Sequence, residues 1–235
     1  QGDAAAQWAL AIMYKFGRGV PKSYAKSLEW YQKSASNNFS QAQFGLARMH
    51  LMGLGTPKNT DKAEQWFRLA AEQGHIEAMN GLAFMWAENG TNLDEAEKLS
   101  RASIKNHPTS SSWLDTLGWV LHKKGDHTEA VKILEQAADL SSDNREILSH
   151  LAIALLGAGD IYKSNKTIEH ARTLSLKTNQ GDILDDYRIQ KSIEATSLVR
   201  DDAGSACIVF DPPLKKGKRI RYDDYINVKP TLNAF

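Results

Sequence analysis

A small residue recurs along this chain at Ala11, Ala47, Ala83, Gly118 and Ala152, at intervals of 36, 36, 35 and 34 residues. Each one follows a leucine (Leu10, Leu46, Leu82, Leu117, Leu151) and precedes by three a bulkier side chain (Tyr14, His50, Trp86, Leu121, Leu155). A period of this length is the mark of helix pairs. Two helices of about a dozen residues cannot bury their apolar stripes on each other alone, so neighbouring pairs must stack into one core. The expectation is an all-α chain, a right-handed α–α superhelical solenoid of about five helix-pair repeats. Its ten helices should run over residues 3 to 176, with a short β-prone C-terminal tail.

The first unit passes through Ala6, Leu10, Ala11 and Tyr14 to Gly17, Gly19 and Pro21, then to Lys26, Trp30, Tyr31 and Ala35. Thirty-six residues later stand Ala42, Leu46, Ala47, His50, Gly53, Gly55, Pro57, Lys62, Trp66, Phe67 and Ala71. Apolar residues three and four apart line one helix face, and the prolines bar the helix from crossing the loop. The third unit keeps Ala78, Leu82, Ala83 and Trp86 but shortens its loop by three residues, so that Leu99 stands where the others carry tryptophan. From Trp113 the pattern changes to Leu117-Gly118, Gly125-Asp126, Ala130, Leu134 and Ala137, then Leu151-Ala152, Gly159-Asp160, Ser164, Ile168 and Ala171. In each Gly-Asp pair, glycine takes the left-handed turn after one helix and aspartate caps the next.

These residues carry a family resemblance. Units one and two resemble Sel1-like repeats through Ala-x3-Leu-Ala-x2-(Tyr/His)-x2-Gly-x-Gly and the later Lys-(Ser/Ala)-x2-Trp-(Tyr/Phe). Units four and five are similar to tetratricopeptide repeats, a kind from the same structural superfamily. The resemblance implies protein–protein interaction or assembly work. It departs from the pattern where Ala replaces Gly at the eighth position in four units, where His50 replaces Tyr, and where Ser142 stands in place of Pro.

The domain plan is residues 1–176 as solenoid, 177–205 as a capping helix and linker, and 206–235 as a β-prone tail. Ala206 to Phe210 and Arg219 to Val228 read as strands, and two short strands make no stable domain by themselves. The tail's Ala206-Cys-Ile-Val-Phe-Asp-Pro-Pro-Leu214 and Tyr222-Asp-Asp-Tyr-Ile-Asn-Val-Lys-Pro230 resemble the opening of the first β domain of bacterial α2-macroglobulin-like proteins. That resemblance implies a second reading, the recruiting end of an envelope-associated protease-trapping protein, and places it in the bacterial periplasm or cell envelope. Gln1-Gly2-Asp3 matches Gln73-Gly74-His75, the turn between later repeats, so the chain reads as starting inside an array.

With 42% hydrophobic and 24% charged residues over 235, the chain has the material of a folded core. A net charge of +1 gives no general pull toward nucleic acid, and no apolar run approaches the ~20 residues of a membrane span. Lys215, Lys216, Lys218, Arg219, Arg221 and Lys229 against Asp223 and Asp224 give residues 212–235 a charge of +4, which suits a lysine-protected strand edge. Cys207 has no partner for an internal disulfide.

Catalytic chemistry finds little support. His122 and His127 flank a turn at a spacing foreign to zinc sites, and His50 occupies a packing slot. The Asp pairs at 185–186, 201–202 and 223–224 are sequence neighbours, which elements of regular structure point apart. Ser110 to Ser112 reads as helix capping, and Gly17-Arg-Gly and Gly53-Leu-Gly are repeat turns rather than phosphate cradles. No cofactor or metal motif emerges, and the chain reads as non-catalytic.

Tetratricopeptide-like geometry turns positions five, nine, twelve and thirteen of each first helix toward the concave face. This selects Trp8, Phe44, Arg48, Phe84, Asp115, Trp119, His122 and Lys123 as partner contacts, with Ile12, Leu51 and Met52 beside them. Large aromatics, Met and Arg are what interaction hot spots favour, so the expected partner is a protein or peptide segment, the chain's own residues 206–235 included. Packing of the same aromatics between repeats is the competing reading.

Overall fold

The computed structural model describes residues 3–178 together with Cys207–Ile208 and Ile220–Arg221. Among the described residues are α1 (Ala4–Phe16), α2 (Tyr24–Ser36), α3 (Ser40–Met52), α4 (Thr60–Glu72), α5 (Ile76–Asn89), α6 (Leu93–Asn106), α7 (Ser111–Lys124), α8 (His127–Leu140), α9 (Arg145–Gly157) and α10 (Ile161–Thr178). Two strands, β1 (Cys207–Ile208) and β2 (Ile220–Arg221), pair antiparallel with Cys207 opposite Arg221. The chain forms two compact units, Gln1–Pro108 with α1 to α6 and Thr109–Phe235 with α7 to α10 and the strand pair. The ten expected helices are present as five consecutive pairs. The expected capping helix and most of the tail lie outside the described residues.

The repeated small residues do what their period implies. Ala11, Ala47, Ala83 and Ala152 are wholly buried, and so are Ser27, Ala63, Ala96, Ala130 and Ser164 at the matching place on each second helix. Small side chains at both positions let the two backbones of a pair come close. Where the second residue is serine, its hydroxyl donates to the carbonyl of the small residue opposite, Ser27 to Ala11 at 2.8 Å and Ser164 to Ala152 at 2.9 Å. Gly118 marks the tightest approach, since a Cβ built there would collide with the Leu134 side chain of α8.

In the first unit each helix packs on the next, α1 on α2 through to α5 on α6. One cluster of its core joins Ala11, Tyr31, Ala35, Ala42, Leu46 and Met49 from α1, α2 and α3. In the second unit α7, α8, α9 and α10 pack in sequence and α7 also touches α9. There α9 is buried at every residue from Ile147 to Leu156, a helix enclosed on all sides rather than striped.

Helix ends follow local chemistry. Ser23, Asn59, Asp126 and Asp160 accept backbone N–H groups of the next turn from Lys26, Lys62, Glu129 and Lys163. Gly125, at φ 91°, takes the left-handed conformation that closes α7 just before Asp126 opens α8. Gly55 is required twice over: its φ is 71°, and a Cβ would run into the Tyr24 carbonyl. Ser110 is the N-cap residue of α7, but its hydroxyl makes no cap bond and lies 3.4 Å from the Ser112 hydroxyl instead.

Candidate functional site

In the first unit, the predicted contacts sit on α1, α3 and α5. Trp8 is half-buried and meets Phe39 edge-on at 5.9 Å between ring centroids. Phe44 stacks on His75 at 4.8 Å, leans on Phe67 at 5.8 Å, and lies under the Arg48 guanidinium at 5.8 Å. The His75 ring is fixed because its Nδ1 accepts the Ala78 N–H as the N-cap of α5. Burial keeps that imidazole's pKa below the usual value, against the opposing pull of Glu77. Phe84 is half-buried.

Arg48 is exposed, and its charge reaches Lys15 one helix away. Burial first, and Arg48 second, hold the Lys15 ammonium below its ordinary pKa. Among the described residues neither cation makes an ion pair, and both lie against rings, Lys15 over Phe16 and Arg48 over Phe44. Beside them Phe16 and Met52 are 57% and 59% exposed at one repeat position, thirty-six residues apart. The packing reading therefore accounts for part of Trp8 and Phe44, while the apolar surface in the open is that of Phe16 and Met52. Lys15 and Phe16 were missed by sequence reasoning, although they occupy positions twelve and thirteen of the first unit, the very places that selected Leu51 and Met52 in the second.

The second unit differs. Asp115 and Trp119 are buried, Trp119 to 2% exposure, which corrects the expectation of an exposed strip there. The cause is a partner that sequence reasoning missed. His150 on α9, fully buried, meets the Asp115 carboxylate at 2.8 Å through Nδ1 and stacks on Trp119 at 4.3 Å. On its other side Trp119 stacks on His122 at 5.1 Å, and the His122 ring touches His127, with 3.2 Å between the two Nδ1 atoms. A column thus runs from Asp115 through His150, Trp119 and His122 to His127. His127 in turn lies over Gly157, where a Cβ would strike its ring.

Burial, followed by the nearby charges of His127, Lys123 and His150, lowers the His122 pKa to about 4. The ring is therefore neutral at pH 7 and shares a single hydrogen with His127 across their contact. Lys123 is exposed and holds its ammonium 4.8 Å from the Trp119 ring. The signal for His150 was present: a lone imidazole within the apolar run Ile147 to Leu156 needs a buried partner, and an acidic residue stands one repeat back.

Comparison with known proteins agrees with the repeat grammar. Residues 4–39 and 40–75 match the Sel1 repeat profile, and residues 121–172 match a tetratricopeptide repeat profile. Residues 4–75 thus carry two Sel1 repeats, and residues 121–172 carry tetratricopeptide repeat sequence. Among solved structures, the repeat protein is similar to a Sel1 repeat protein from Oxalobacter formigenes, at 23% identity and TM-score 0.53, covering 82% of this chain and 86% of the other. It also resembles c5321, a protective antigen of uropathogenic Escherichia coli with an SLR fold, at 24% identity and TM-score 0.56, covering 83% of this chain and 46% of that one. A third is YrrB, described as a TPR protein with an unusual peptide-binding site, at 11% identity and TM-score 0.60, covering 82% and 92%. None of the curated proteins matches the chain significantly. The comparisons give no support to the macroglobulin-type reading of the tail.

Proposed function

We propose that this repeat protein is a non-catalytic interaction scaffold that holds a partner polypeptide along its first helices. The observation that carries the reading is the α1/α3 surface, where exposed Phe16 and Met52 lie beside Lys15 and Arg48, two close cations that make no ion pair among the described residues. Two like charges held together, one of them half-buried, are stabilised by an anionic group brought between them. Apolar side chains flanking that group would cover Phe16 and Met52. The partner that fits is an extended segment with an acidic residue between apolar ones, and Trp8, Phe44 and Phe84 extend the same contact surface.

In the second unit, taken by itself, His122 and Lys123 offer a contact from the accessible side, while Asp115 and Trp119 support them from below. The repeat fold and the likeness to YrrB, itself described as having a peptide-binding site, agree with this assignment.

Displayed peptide libraries selected on the intact chain should yield segments of acidic and apolar character. Replacing Arg48 by Glu should weaken the selected peptides by at least tenfold, the size of effect expected when an interface charge is reversed. Circular dichroism should be unchanged, because Arg48 is exposed. Selected peptides that bind the Arg48→Glu and Phe16→Ala variants as tightly as the parent would refute the reading.

A further inference from the structure

Between the second helices α2 and α4 lies a cleft of ≈ 290 Å³, lined by Gln32 of α2, Leu46 and His50 of α3, and Lys62, Gln65, Trp66 and Leu69 of α4. It lies away from the surface assigned above, and its meaning comes from the repeat register. The same slot in the next pair is occupied by Trp86, thirty-six residues after His50. There the indole N–H donates to Glu64 at 2.9 Å, and the Arg68 guanidinium lies 5.2 Å from the ring. One pair earlier the slot holds Tyr14, whose ring lies 5.2 Å from the Lys26 ammonium.

Only the middle unit puts a small imidazole where its neighbours put a large ring. The residues that clasp Trp86 are replaced there by Leu28 and Gln32, and Lys62 takes the place of Lys26. The vacancy is polar as well as roomy. His50 is 5% exposed, and its Nδ1 is buried without a hydrogen-bond partner. Among the described residues Lys62 makes no ion pair, and Leu69 and Trp66 leave apolar surface at the rim, Leu69 at 42% exposure.

We propose that this cleft is a second ligand site, independent of the peptide surface, which takes a planar aromatic group bearing a carboxylate. The ring fills the space that Trp86 fills for itself one repeat later, against Leu46, Trp66 and Leu69. The carboxylate pairs with the Lys62 ammonium and accepts from the His50 ring and the Gln65 amide. A cleft of this volume stands at the small end of the roughly 300–1,000 Å³ of ligand pockets, which suits one aromatic acid rather than a larger ligand.

N-acetyltryptophan is the probe, read through the side-chain NMR signals of the histidines in the intact chain. Saturable shifts confined to His50, with N-acetyltryptophan amide binding at least tenfold more weakly, are expected. Lys62→Gln should lower the acid's affinity by a similar factor, and His50→Trp should abolish binding while raising the melting temperature, because the protein then fills its own cleft. Should His50→Trp fail to fold, Gln32→Trp on the exposed side of α2 closes the mouth without touching the core, and it too should abolish binding. The proposal is overturned by no saturable shift up to about 10 mM, beyond the weak millimolar end of specific binding. It is also overturned by equal affinity for acid and amide, by binding that survives both tryptophan variants, or by a self-association that His50→Trp abolishes, which would put a second copy of this chain in the cleft.

Discussion

Three histidines in this protein are held below their ordinary pKa, in each case chiefly by burial. The surroundings differ: His75 gives its Nδ1 lone pair to the start of α5, His50 is buried without a partner for Nδ1, and His122 stacks on Trp119 and meets His127 at a tilt. All three folded-state pKa values lie below the free value of 6.5. As pH falls, the unfolded chain takes up these protons first, so stability that is full above about pH 6.5 is lost on the way to 4. His122 alone accounts for up to about 3 kcal/mol of that loss. Urea denaturation of His122→Gln should show a flatter decline between these pH values than the parent, and an unchanged slope would deny His122 this part.

Asp115→Ala should cost about 1–3 kcal/mol at pH 7, because it removes the carboxylate that meets the buried His150 Nδ1. Thermal melts decide it. Asp115→Asn, which keeps an acceptor, should cost less.

At the scale of the element, the distance between paired helices is set by a few side chains. Gly118→Ala places a methyl group against Leu134 and should destabilise the α7/α8 pair by about 1–3 kcal/mol, measurable by chemical denaturation. Ala83 tolerates its Cβ at the equivalent place, so the penalty belongs to the local spacing rather than to the repeat position as such. Caps act in the same way on helix ends. Asp126→Ala removes the acceptor of the Glu129 N–H and should lower stability by about 1 kcal/mol in the same assay. These features were legible in the sequence because each depends on neighbours a few residues away or one period away. Ser110 shows the limit: a serine run before a helix forecasts the cap position, while the hydroxyl's rotamer is chosen by its surroundings, here Ser112.

Across the whole molecule, stability should follow nearest-neighbour stacking. In the first unit, Phe67 of α4 packs toward α5, with Phe67 ring atoms 3.2 Å from the place a Cβ on Gly81 would take. A chain of residues 1–75 loses that cover and should melt well below residues 1–108, a difference that circular dichroism of the two fragments would read directly. Equal melting would mean that the two Sel1 repeats are stable without the stack.

The sequence by itself determined the helices, their pairing and the small residues between them, because a 34- to 36-residue period and local caps act through short-range sterics and hydrogen bonds. It also selected the first-helix positions of Trp8, Phe44 and Arg48. Tertiary structure alone decided which of the selected side chains stay in the open. Asp115 and Trp119 were drawn inward by His150, whose position relative to them depends on how α7 lies against α9 and not on either helix's own pattern. The cleft over His50 likewise exists only once α2, α3 and α4 are packed, since a vacancy is a property of the surrounding side chains and has no residue of its own.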